Sequence, residues 1–416
     1  MKRLISCVLA LLYVMAGFAS GTWILHGKEY RVDTLYHAYI GPGTTQTSIK
    51  LAGPVNLRVF YTTTDLKNEN VDVRAIKHKD TLTGLGTVSN AAESHSTSNR
   101  SYFAGINADF FSSSMPCGIT VVDGEVYCSD QASGWSLFGI DANKIPYSGG
   151  GDFYVKLTAP DYSTAELSAM NLERGTNGLV LYSSRKGANT GTDSDGSEVV
   201  LIPDGEGNFL TPGATVRMRV QGNPSHAGSM PIPDDGYILS GSGTKESFVS
   251  NLSEGDVVEV RCAIRFNGFT GGKIQQALGG CPMLVSGGKV LDTENALDHL
   301  TSAQPRTAVG YNAEKNKLVM LVADGRSSIS VGPISKVLAD IMIYAGCSEA
   351  MNFDGGGSST FYVKGEGVIN QPSDGSERSV TDGLYLSTDA PQNDVTITTI
   401  RFMDYAKTLN QGDAYT

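Results

Sequence analysis

Short, β-branched apolar segments separated by glycine-containing turns constrain the fold of this chain more than any other feature. Such segments occupy residues 55–61, 71–76, 179–182, 199–202, 257–266 and 318–323. Asp123-Gly124 and Gly287-Gly288 are turn signals of the kind that close hairpins. Glycine supplies 49 of the 416 residues without a fixed period, which indicates many turns and backbone-lined loops. The sequence therefore predicts a chain rich in strands and hairpins.

One segment, residues 334–344, has the periodicity of a helix. Its apolar residues recur at three- and four-residue spacings, at Ile334, Val337, Leu338, Ile341 and Met342. Pro333 suits the first turn of a helix, and Gly346 lies just past its end. Strands mixed with a few helices, without regular βαβ alternation, predict an α+β class, here a strand-rich mixed sheet domain.

The first residues have the pattern of a secretory signal peptide. Lys2 and Arg3 precede an apolar stretch over residues 4–16, and small residues follow at positions 17 and 19. We assign residues 1–19 to this leader, 20–387 to one main domain and 388–416 to a C-terminal extension, either a partial β module or a docking strand. No later segment approaches the roughly 20 apolar residues of a membrane helix. The expected location is secreted, periplasmic or cell-surface, without membrane insertion.

The charge balance limits the classes of partner. The formal net charge is −11 at pH 7, so nucleic acid and anionic membrane surfaces are poor partners. A few converging arginines and backbone N–H groups can still bind phosphate in an acidic protein. An anionic small substrate therefore remains compatible with the composition.

Five cysteines follow the leader, at positions 117, 128, 262, 281 and 347. Their spacing matches no zinc pattern, and an odd count leaves at least one thiol unpaired. Cys117 and Cys128 flank the predicted turn at Asp123-Gly124. A disulfide between them and a pair of structural free thiols are both compatible with the sequence.

The strongest local signal is MNFDGGGSST at residues 351–360. It places Asp354 at the end of a strand, before three glycines and Ser358. Glycines let backbone N–H groups approach a ligand closely, and successive N–H groups form an anion cradle. The alternative is a plain tight turn that Asp354 caps.

Further segments resemble the phosphodiester glycosidase family, the group that includes the mannose 6-phosphate uncovering enzyme. They are INADFF at 106–111, GGCPMLV at 279–285, PRTAVG at 305–310, DGR at 324–326 and NFDGGGSS at 352–359. Weaker similarities cover residues 171–174, 179–182, 235–237 and 370–380 and the neighbourhood of Glu198. The series runs in order from about residue 55 to about residue 387. Phe353, Ser379 and Gln304 depart from the family pattern, and Gln304 stands where a basic residue is expected.

The resemblance implies a hydrolase that removes a sugar, of the N-acetylglucosamine type, from a sugar-1-phosphodiester and leaves a phosphomonoester. Cleavage at the anomeric carbon passes through an oxocarbenium-like state, which a carboxylate stabilises or attacks. Phosphate is a good leaving group, so positive charge around its oxygens matters more than a strong acid. Arginine suits that role because its planar fork holds two phosphate oxygens.

The matched motifs supply the candidate residues. The catalytic candidates are Asp109, Glu198, Asp324 and Asp354. The substrate-binding candidates are Asn107, Arg174, Arg306, Arg326, Asn352, Gly355, Gly356, Gly357, Ser358 and Arg378. Structural alternatives exist for three of them: Asp324 would shape a turn, Arg306 would form a buried ion pair, and Asn107 would cap a loop.

A metal and two other functions remain open at this point. If the four acidic candidates converged, they would form an oxygen-rich set suited to Ca²⁺ or Mg²⁺, but a sequence does not show convergence. A metal-dependent phosphodiesterase would cut the P–O bond of the same substrate. A non-catalytic glycan-binding protein would retain the fold without the activity.

Overall fold

A computed structural model describes residues 21–130, 135–205, 209–266, 271–293 and 301–390. The expected signal peptide and residues 391–416 of the C-terminal extension lie outside the described residues. Within those ranges no helix has the length and apolar character needed to cross a membrane.

The largest sheet has nine strands, and both of its faces are covered. Its strands are β1 (Gly21–Leu25), β2 (Lys28–Gly41), β3 (Thr44–Ala52), β4 (Asn56–Asp65), β22 (Met283–Ser286), β23 (Lys289–Val290), β24 (Arg306–Tyr311), β25 (Lys317–Ala323) and β26 (Glu349–Asn352). Their spatial order is β1-β2-β3-β4-β25-β24-β26-β22-β23. Helix α3 (Ser335–Tyr344) packs on one face through Leu338, Ile341 and Met342.

A five-stranded sheet packs against the opposite face of the nine-stranded sheet. It contains β5 (Asp72–Lys77), β6 (Ser101–Asn107), β27 (Phe361–Val363), β28 (Gly367–Val368) and β29 (Asp382–Thr388), in the order β28-β27-β6-β29-β5. Ile106 and Leu384 of this sheet share one core with Val309 and Met351 of the larger sheet. Helix α1 (Val88–His95), whose N-terminus Thr87 caps by accepting from the Asn90 N–H, covers its outer face.

Two further sheets enclose a second core. The eight-stranded sheet contains β13 (Gly151–Thr158), β14 (Thr164–Glu166), β15 (Ala169–Met170), β16 (Leu179–Tyr182), β17 (Gly196–Pro203), β18 (Thr215–Ser225), β19 (Tyr237–Ser242) and β20 (Val257–Phe266). The second five-stranded sheet contains β9 (Thr120–Val122), β10 (Glu125–Cys128), β11 (Ser136–Asp141), β12 (Pro146–Gly149) and β21 (Ile274–Gly280). The remaining described elements are a two-stranded ribbon, β7 (Phe111–Ser112) with β8 (Met115–Pro116), the short helix α2 (Glu246–Ser250), and 3₁₀ helices at Ser184–Lys186, Gly243–Lys245 and Gly356–Ser358.

The predicted strands are confirmed with small changes in their ends. Residues 179–182 and 257–266 form β16 and β20 with the predicted bounds. In β20, buried and less buried residues alternate as expected for a half-buried strand. The predicted helix begins one residue later, at Ser335, because Ile334 has extended backbone angles and is its N-cap.

The α+β class is compatible with the structure, although strands dominate more than that term implies. Three short α-helices occur in the described ranges. Parallel pairing is found between β15 and β16, so the eight-stranded sheet is mixed.

Cysteine pairing is also answered. Cys117 and Cys128 are free thiols, as are Cys262, Cys281 and Cys347. Burial raises the pKa of Cys128 to about 12, and its thiol therefore stays neutral at physiological pH. Of the two alternatives, structural free thiols are the one observed.

Candidate active site

Six strands of the two facing sheets bring their ends to one place. β5 ends at Lys77, β6 at Asn107, β25 at Ala323 and β26 at Asn352, whereas β24 begins at Arg306 and β29 at Asp382. Lys77 and Asp382 are direct cross-strand neighbours, and Ala308 lies opposite Asn352. Because the paired strands are antiparallel, the start of one lies beside the end of the next. The loops that leave these ends therefore meet.

Asp109 follows β6 and is buried in this place. The Gly118 N–H donates a 2.7 Å hydrogen bond to its Oδ2, and its own N–H donates a 2.9 Å bond to Oδ1 of Asp382. Oδ1 of Asp109 has no hydrogen-bond partner within the described ranges. Burial and the negative charges of Asp382 and Asp354 raise the pKa of Asp109 well above its usual range.

Asp354 lies beside Asp109, on the loop after β26. Its N–H donates a 2.8 Å hydrogen bond to the Ala108 carbonyl, which ties the two loops together. Burial raises the pKa of Asp354 to about 6, against the opposing effects of the Ser358 hydroxyl and the Arg378 charge. Asp354 is therefore mostly ionised at pH 7, whereas Asp109 retains its proton more strongly.

Asn107 connects the two sheets at this point. Its Nδ2 donates to the Asp354 carbonyl at 2.7 Å. Its Oδ1 accepts from the Thr307 hydroxyl at 2.8 Å and from the Thr360 N–H at 3.1 Å. The side chain is fully buried, and these contacts give it a positioning role for the Asp354 loop.

The second asparagine candidate is held in a similar way. Asn352 Nδ2 donates to the Cys281 carbonyl at 2.7 Å, and the side chain is buried. Its Oδ1 has no partner among the residues that the structure covers. Asn352 thus lies under the site, against the segment that carries the cis Cys281-Pro282 bond.

Two arginines flank the glycine loop, residues 355–358. A Cβ added at Gly356 would lie 3.1 Å from Nη2 of Arg326, and one added at Gly357 would overlap the Arg378 guanidinium. Arg378 also donates to Ser358 Oγ at 3.4 Å. Both guanidinium groups therefore lie on glycine backbone, where a side chain would displace them. This arrangement combines N–H groups and arginine forks, the groups that bind phosphate.

Both flanking arginines have neighbours on the same side. Arg378 forms an ion pair with Asp374 at 2.6 Å. Arg326 donates from Nε to Gln304 Oε1 at 2.6 Å and from Nη1 to Ser373 Oγ at 3.4 Å. Gln304, which replaces the basic residue expected there, thus orients a guanidinium without adding charge.

Arg306 is placed behind the glycine loop. Its Nε donates to the Pro333 carbonyl at 3.3 Å, and its Nη2 donates to the Ser302 carbonyl at 2.9 Å. Burial, with the nearby charge of Arg326, lowers its pKa to about 10. Arg306 is therefore still a cation at pH 7, and it adds positive potential beneath the loop.

Asp324 supports the segment that leads to Arg378. Its Oδ1 accepts from the Gln371 N–H at 2.8 Å and from Asn370 Nδ2 at 3.4 Å. Burial raises the pKa of Asp324, and these two donors oppose the shift. Its contacts place Asp324 at the edge of the site as an anchor for residues 370–371.

Glu198 and Arg174 form a separate group in the eight-stranded sheet. Glu198 accepts from the Thr192 hydroxyl at 2.9 Å and from the Met230 N–H at 3.2 Å. Arg174 donates to Ser240 Oγ at 3.0 Å and pairs with Asp193. These hydrogen bonds stay within that sheet and its loops, whereas those of Asn107, Asp109 and Asp354 join one cluster.

The four acidic candidates do not converge as a metal site would require. Glu198 and Asp324 have the separate surroundings described above, and Lys77 lies among the remaining carboxyl groups. No group of three or more His, Cys, Asp or Glu residues within the described ranges could hold a metal ion. The oxygen-rich set that would suit Ca²⁺ or Mg²⁺ if the four acidic candidates converged therefore does not form among the described residues.

Lys77 and Asp382 belong to the cluster but are absent from the motif-based candidates. Asp382 Oδ2 accepts from the Thr381 hydroxyl at 3.0 Å, and Lys77 Nζ donates to the Thr381 carbonyl at 3.0 Å. The only sequence signal was position: Lys77 directly follows the apolar segment 71–76, and Asp382 lies two residues after the end of the similar stretch 370–380.

A cavity of about 440 Å³ lies elsewhere, at the end of the eight-stranded sheet. It is lined by Phe209, Asp234, Asp235 and Tyr237, among others. The candidacy of the acidic cluster depends instead on its carboxyl groups and on the arginines.

The comparisons with known proteins agree with the motif series. Residues 213–387 match the model of the phosphodiester glycosidase family. A prophage-derived protein of Bacillus subtilis, YomE, is 40% identical over 88 residues, which are 21% of this chain and 13% of YomE. The chain thus spans only a small part of that curated relative.

Among solved structures, two share the fold. A hypothetical protein from Synechocystis has a TM-score of 0.64 and 15% identity, covering 83% of this chain and 62% of its own. A protein of Burkholderia pseudomallei described as exported has a TM-score of 0.63 and 18% identity. The match covers 89% of this chain and 99% of the Burkholderia chain. The catalytic domain of zebrafish N-acetylglucosamine-1-phosphodiester alpha-N-acetylglucosaminidase has a TM-score of 0.44 and 13% identity, covering 89% of each chain.

The family match includes Arg306, Asp324, Asp354, Arg378 and Asp382, whereas Lys77, Asn107 and Asp109 join the site from an earlier part of the chain. Residues 213–387 of this chain belong to the phosphodiester glycosidase family.

Proposed function

We propose that this protein is an exported hydrolase that cleaves sugar-1-phosphodiesters at the bond between the anomeric carbon and the phosphate oxygen. The observation that carries the proposal is the position of the buried carboxyl group of Asp109 and the partly buried one of Asp354 beside a glycine loop that two arginines flank. A glycosidase needs the first feature, and a phosphate leaving group needs the second.

The glycine loop and its arginines suit the phosphate. Arg326 and Arg378 present guanidinium groups on the backbone of Gly356 and Gly357. Arg306 adds a third positive charge from below, since its lowered pKa of about 10 leaves it protonated at pH 7. As the carbon–oxygen bond breaks, the phosphate gains negative charge, and these groups stabilise it more than they stabilise the starting diester.

The carboxyl groups suit the sugar. Asp354, ionised above about pH 6, stabilises the positive charge that develops at the anomeric carbon. The bonding electrons leave with the phosphate oxygen, and the oxygen of a water molecule forms the new bond to carbon. The products are the free sugar and a phosphomonoester. We infer a sugar of the N-acetylglucosamine type from the family resemblance.

Export is part of the proposal. It is supported by the leader-like pattern of residues 1–19 and by the fold shared with a Burkholderia protein described as exported. Fractionation of cells that express the full chain tests this directly, since a protein retained in the cytoplasm with residues 1–19 intact contradicts it.

Hydrolysis of N-acetylglucosamine-1-phospho-mannoside in oxygen-18-labelled water tests the reaction. We expect the label in the released sugar, because the carbon–oxygen bond breaks. Label in the phosphate would contradict the proposal and favour a phosphodiesterase that cuts the P–O bond. Binding of the substrate without any turnover would favour a glycan-binding protein.

A variant and a matched control tie the activity to the site. Asp354→Asn should lower turnover about 100-fold or more, as expected for loss of a group that acts on the reacting carbon. Asp141→Asn changes another buried aspartate, whose Oδ1 caps the N–H groups of Asn143 and Ile145 far from the cluster. Turnover by the folded Asp141→Asn protein should stay near that of the unmodified protein.

A further inference from the structure

Lys77, Asp382 and Asp109 form a buried chain of charged groups that the proposed reaction has not yet used. Lys77 is 2% exposed, Asp109 1% and Asp382 0%. Lys77 and Asp382 are cross-strand neighbours on β5 and β29. The Asp109 N–H then donates to Asp382 Oδ1 at 2.9 Å. Groups of this kind are rarely buried together unless their charges compensate one another.

The hydrogen bonds distinguish the two carboxyl groups. Asp382 accepts at both oxygens, from the Asp109 N–H and from the Thr381 hydroxyl. Both contacts suit an ionised group, since a carboxylate is acceptor-only, and the Lys77 charge opposes the rise in the pKa of Asp382 that burial causes. Asp109 accepts at Oδ2 from the Gly118 N–H, the Phe110 N–H also favours its ionised form, and Oδ1 has no hydrogen bond within the described ranges. Oδ1 is therefore the oxygen that can carry a proton and donate it.

Two glycines, Gly118 and Gly279, contact the carboxyl group of Asp109. A Cβ added at Gly279 would lie 2.6 Å from Oδ2 and 2.8 Å from Oδ1 of Asp109. One added at Gly118 would lie 2.9 Å from Oδ2. The two glycine backbones therefore pack directly against the carboxyl group, and a side chain at either position would displace it.

We propose that Lys77 and Asp382 are positioning residues that act through Asp109. Asp382 carries a negative charge that Lys77 compensates, and this charge keeps the proton on Oδ1 of Asp109. Asp109 then gives that proton to the departing phosphate oxygen, and the water that adds to the anomeric carbon returns a proton to Asp109. The proposal deepens the proposed function and rests on it for the catalytic step alone.

Most other titratable groups around Asp109 and Asp382 do not change charge near pH 7, so the titration of this pair can be interpreted. Burial raises the pKa of Cys117 to about 11 and that of Cys128 to about 12, and burial lowers the pKa of His78 to about 4. These three groups therefore stay neutral near pH 7. The charged groups that face the pair are Lys77, Asp354 and, beyond Asp354, Arg378, whereas Tyr385 stays neutral because burial raises its pKa well above the usual range.

Two variants should move the titration of Asp109 in opposite directions. Asp382→Asn removes a neighbouring negative charge, so we expect the pKa of Asp109 to fall by about one unit or more. Lys77→Met removes a positive charge, so we expect the pKa of Asp109 to rise. The double variant Lys77→Met with Asp382→Asn removes both charges and should return the pKa towards its starting value. It also avoids a buried uncompensated charge if a single variant folds poorly.

Carbon-13 NMR of aspartate-labelled protein measures the pKa of Asp109 without any substrate. We expect one carboxyl signal, lost in Asp109→Asn, to remain protonated at pH 7 and to shift as described in the three variants. An Asp109 signal that is already ionised at pH 7, or two single variants that shift its pKa in the same direction, would overturn the proposal.

The pH profile of sugar release gives the second readout. The alkaline limit of turnover should follow the NMR titration of Asp109, moving to lower pH in Asp382→Asn and to higher pH in Lys77→Met. If the NMR shifts occur without any sugar release by the unmodified protein, the proposed reaction fails and the charge assignment stands. If sugar is released and the alkaline limit of its release does not shift in either variant, the role assigned to Lys77 and Asp382 is wrong.

Discussion

The backbone N–H of Asp109, in the loop after β6, donates a 2.9 Å hydrogen bond to Oδ1 of Asp382, the first residue of β29 in the same sheet. This contact brings two carboxyl groups together away from water, with Asp354 close enough to raise the pKa of Asp109 further. Desolvation is the largest cause of the raised pKa at all three residues. Ionising these carboxyl groups away from water therefore costs free energy. Raised pKa values of this kind are typical of functional sites.

Asp354→Asn should stabilise the protein near neutral pH while it removes activity. The folded-state pKa of about 6 exceeds the ordinary value of 3.8. The native state therefore binds the proton more tightly, and the stability from this group is lost as pH rises from about 4 to about 6. The full shift corresponds to about 3 kcal/mol. Urea denaturation at several pH values measures it.

The free energies of unfolding of Asp354→Asn and the unmodified protein, compared at several pH values, give the sign of this effect. Below about pH 3 the Asp354 carboxyl group is neutral in both the folded and the unfolded state, so the two proteins should have similar free energies of unfolding. Above pH 6 the Asn variant should be more stable by about 1–3 kcal/mol. An Asn variant that is less stable at pH 7 would contradict the buried environment of Asp354. Turnover of the unmodified protein should decline below about pH 6 for the same reason.

Asn107→Ala should unfold at clearly lower urea concentration. The change removes hydrogen bonds to the Asp354 carbonyl, the Thr307 hydroxyl and the Thr360 N–H, and it leaves buried groups unsatisfied. We expect a loss of about 2–4 kcal/mol, since each orphaned group costs about 1–3 kcal/mol. Thr307→Val, which removes only one of these bonds, should cost less. A near-neutral Asn107→Ala would show that this asparagine does not hold the loop.

Local structure was largely predictable from the sequence. The turn at Asp123-Gly124 has positive φ at both residues, as does the turn at Gly287-Gly288, and these dipeptides are favoured because they adopt that conformation at low cost. The strand at residues 179–182 was predictable because it is a short apolar segment with turn-forming residues on either side. These features depend only on neighbouring residues.

The composition of the site was less predictable because it depends on strand pairing. Lys77 and Asp382 become neighbours only through the register of β5 with β29. From the sequence alone, Asp382-Gly383 has the pattern of an ordinary turn. Conversely, Glu198 shares the motif series with Asp354, yet its hydrogen bonds lie in the eight-stranded sheet. Order along the chain thus identified the family motifs without showing which of them meet.

Gly357→Ala should raise KM for the phosphodiester with little loss of stability. The added methyl group would overlap the Arg378 guanidinium and the Asp374 carboxylate. Both side chains are more than one-third exposed, so they can move away and vacate the loop. We expect a rise in KM for the phosphodiester of about tenfold or more, as for loss of a charge-assisted contact. Steady-state kinetics and thermal denaturation measure the two effects.

Gly150→Ala is the matched control for this substitution. Gly150 has open space around the position of an added Cβ and no positive φ, so the change should affect neither KM nor stability. Equal kinetics for Gly357→Ala and Gly150→Ala would show that the arginine on Gly357 does not contact the substrate.

Asp374→Asn should strengthen the binding of phosphate at the glycine loop. Asp374 pairs with Arg378 at 2.6 Å and lies against Gly357, where an anion on the loop would also lie. A bound phosphate must therefore share Arg378 with this carboxylate. Because exposed ion pairs are worth about 0.2–1 kcal/mol, removal of the charge should improve phosphate affinity by about 1.4- to 5-fold.

Inhibition by inorganic phosphate, measured at low and high salt, provides the test. Asp374→Glu retains the charge and should behave as the unmodified protein, whereas the gain in Asp374→Asn should shrink as salt screens the pair. A phosphate affinity that falls in Asp374→Asn would mean that Asp374 orients Arg378 for the ligand instead of competing with it. In that case the carboxylate would be a support for the phosphate site, and Asp374→Glu would be expected to weaken binding as well.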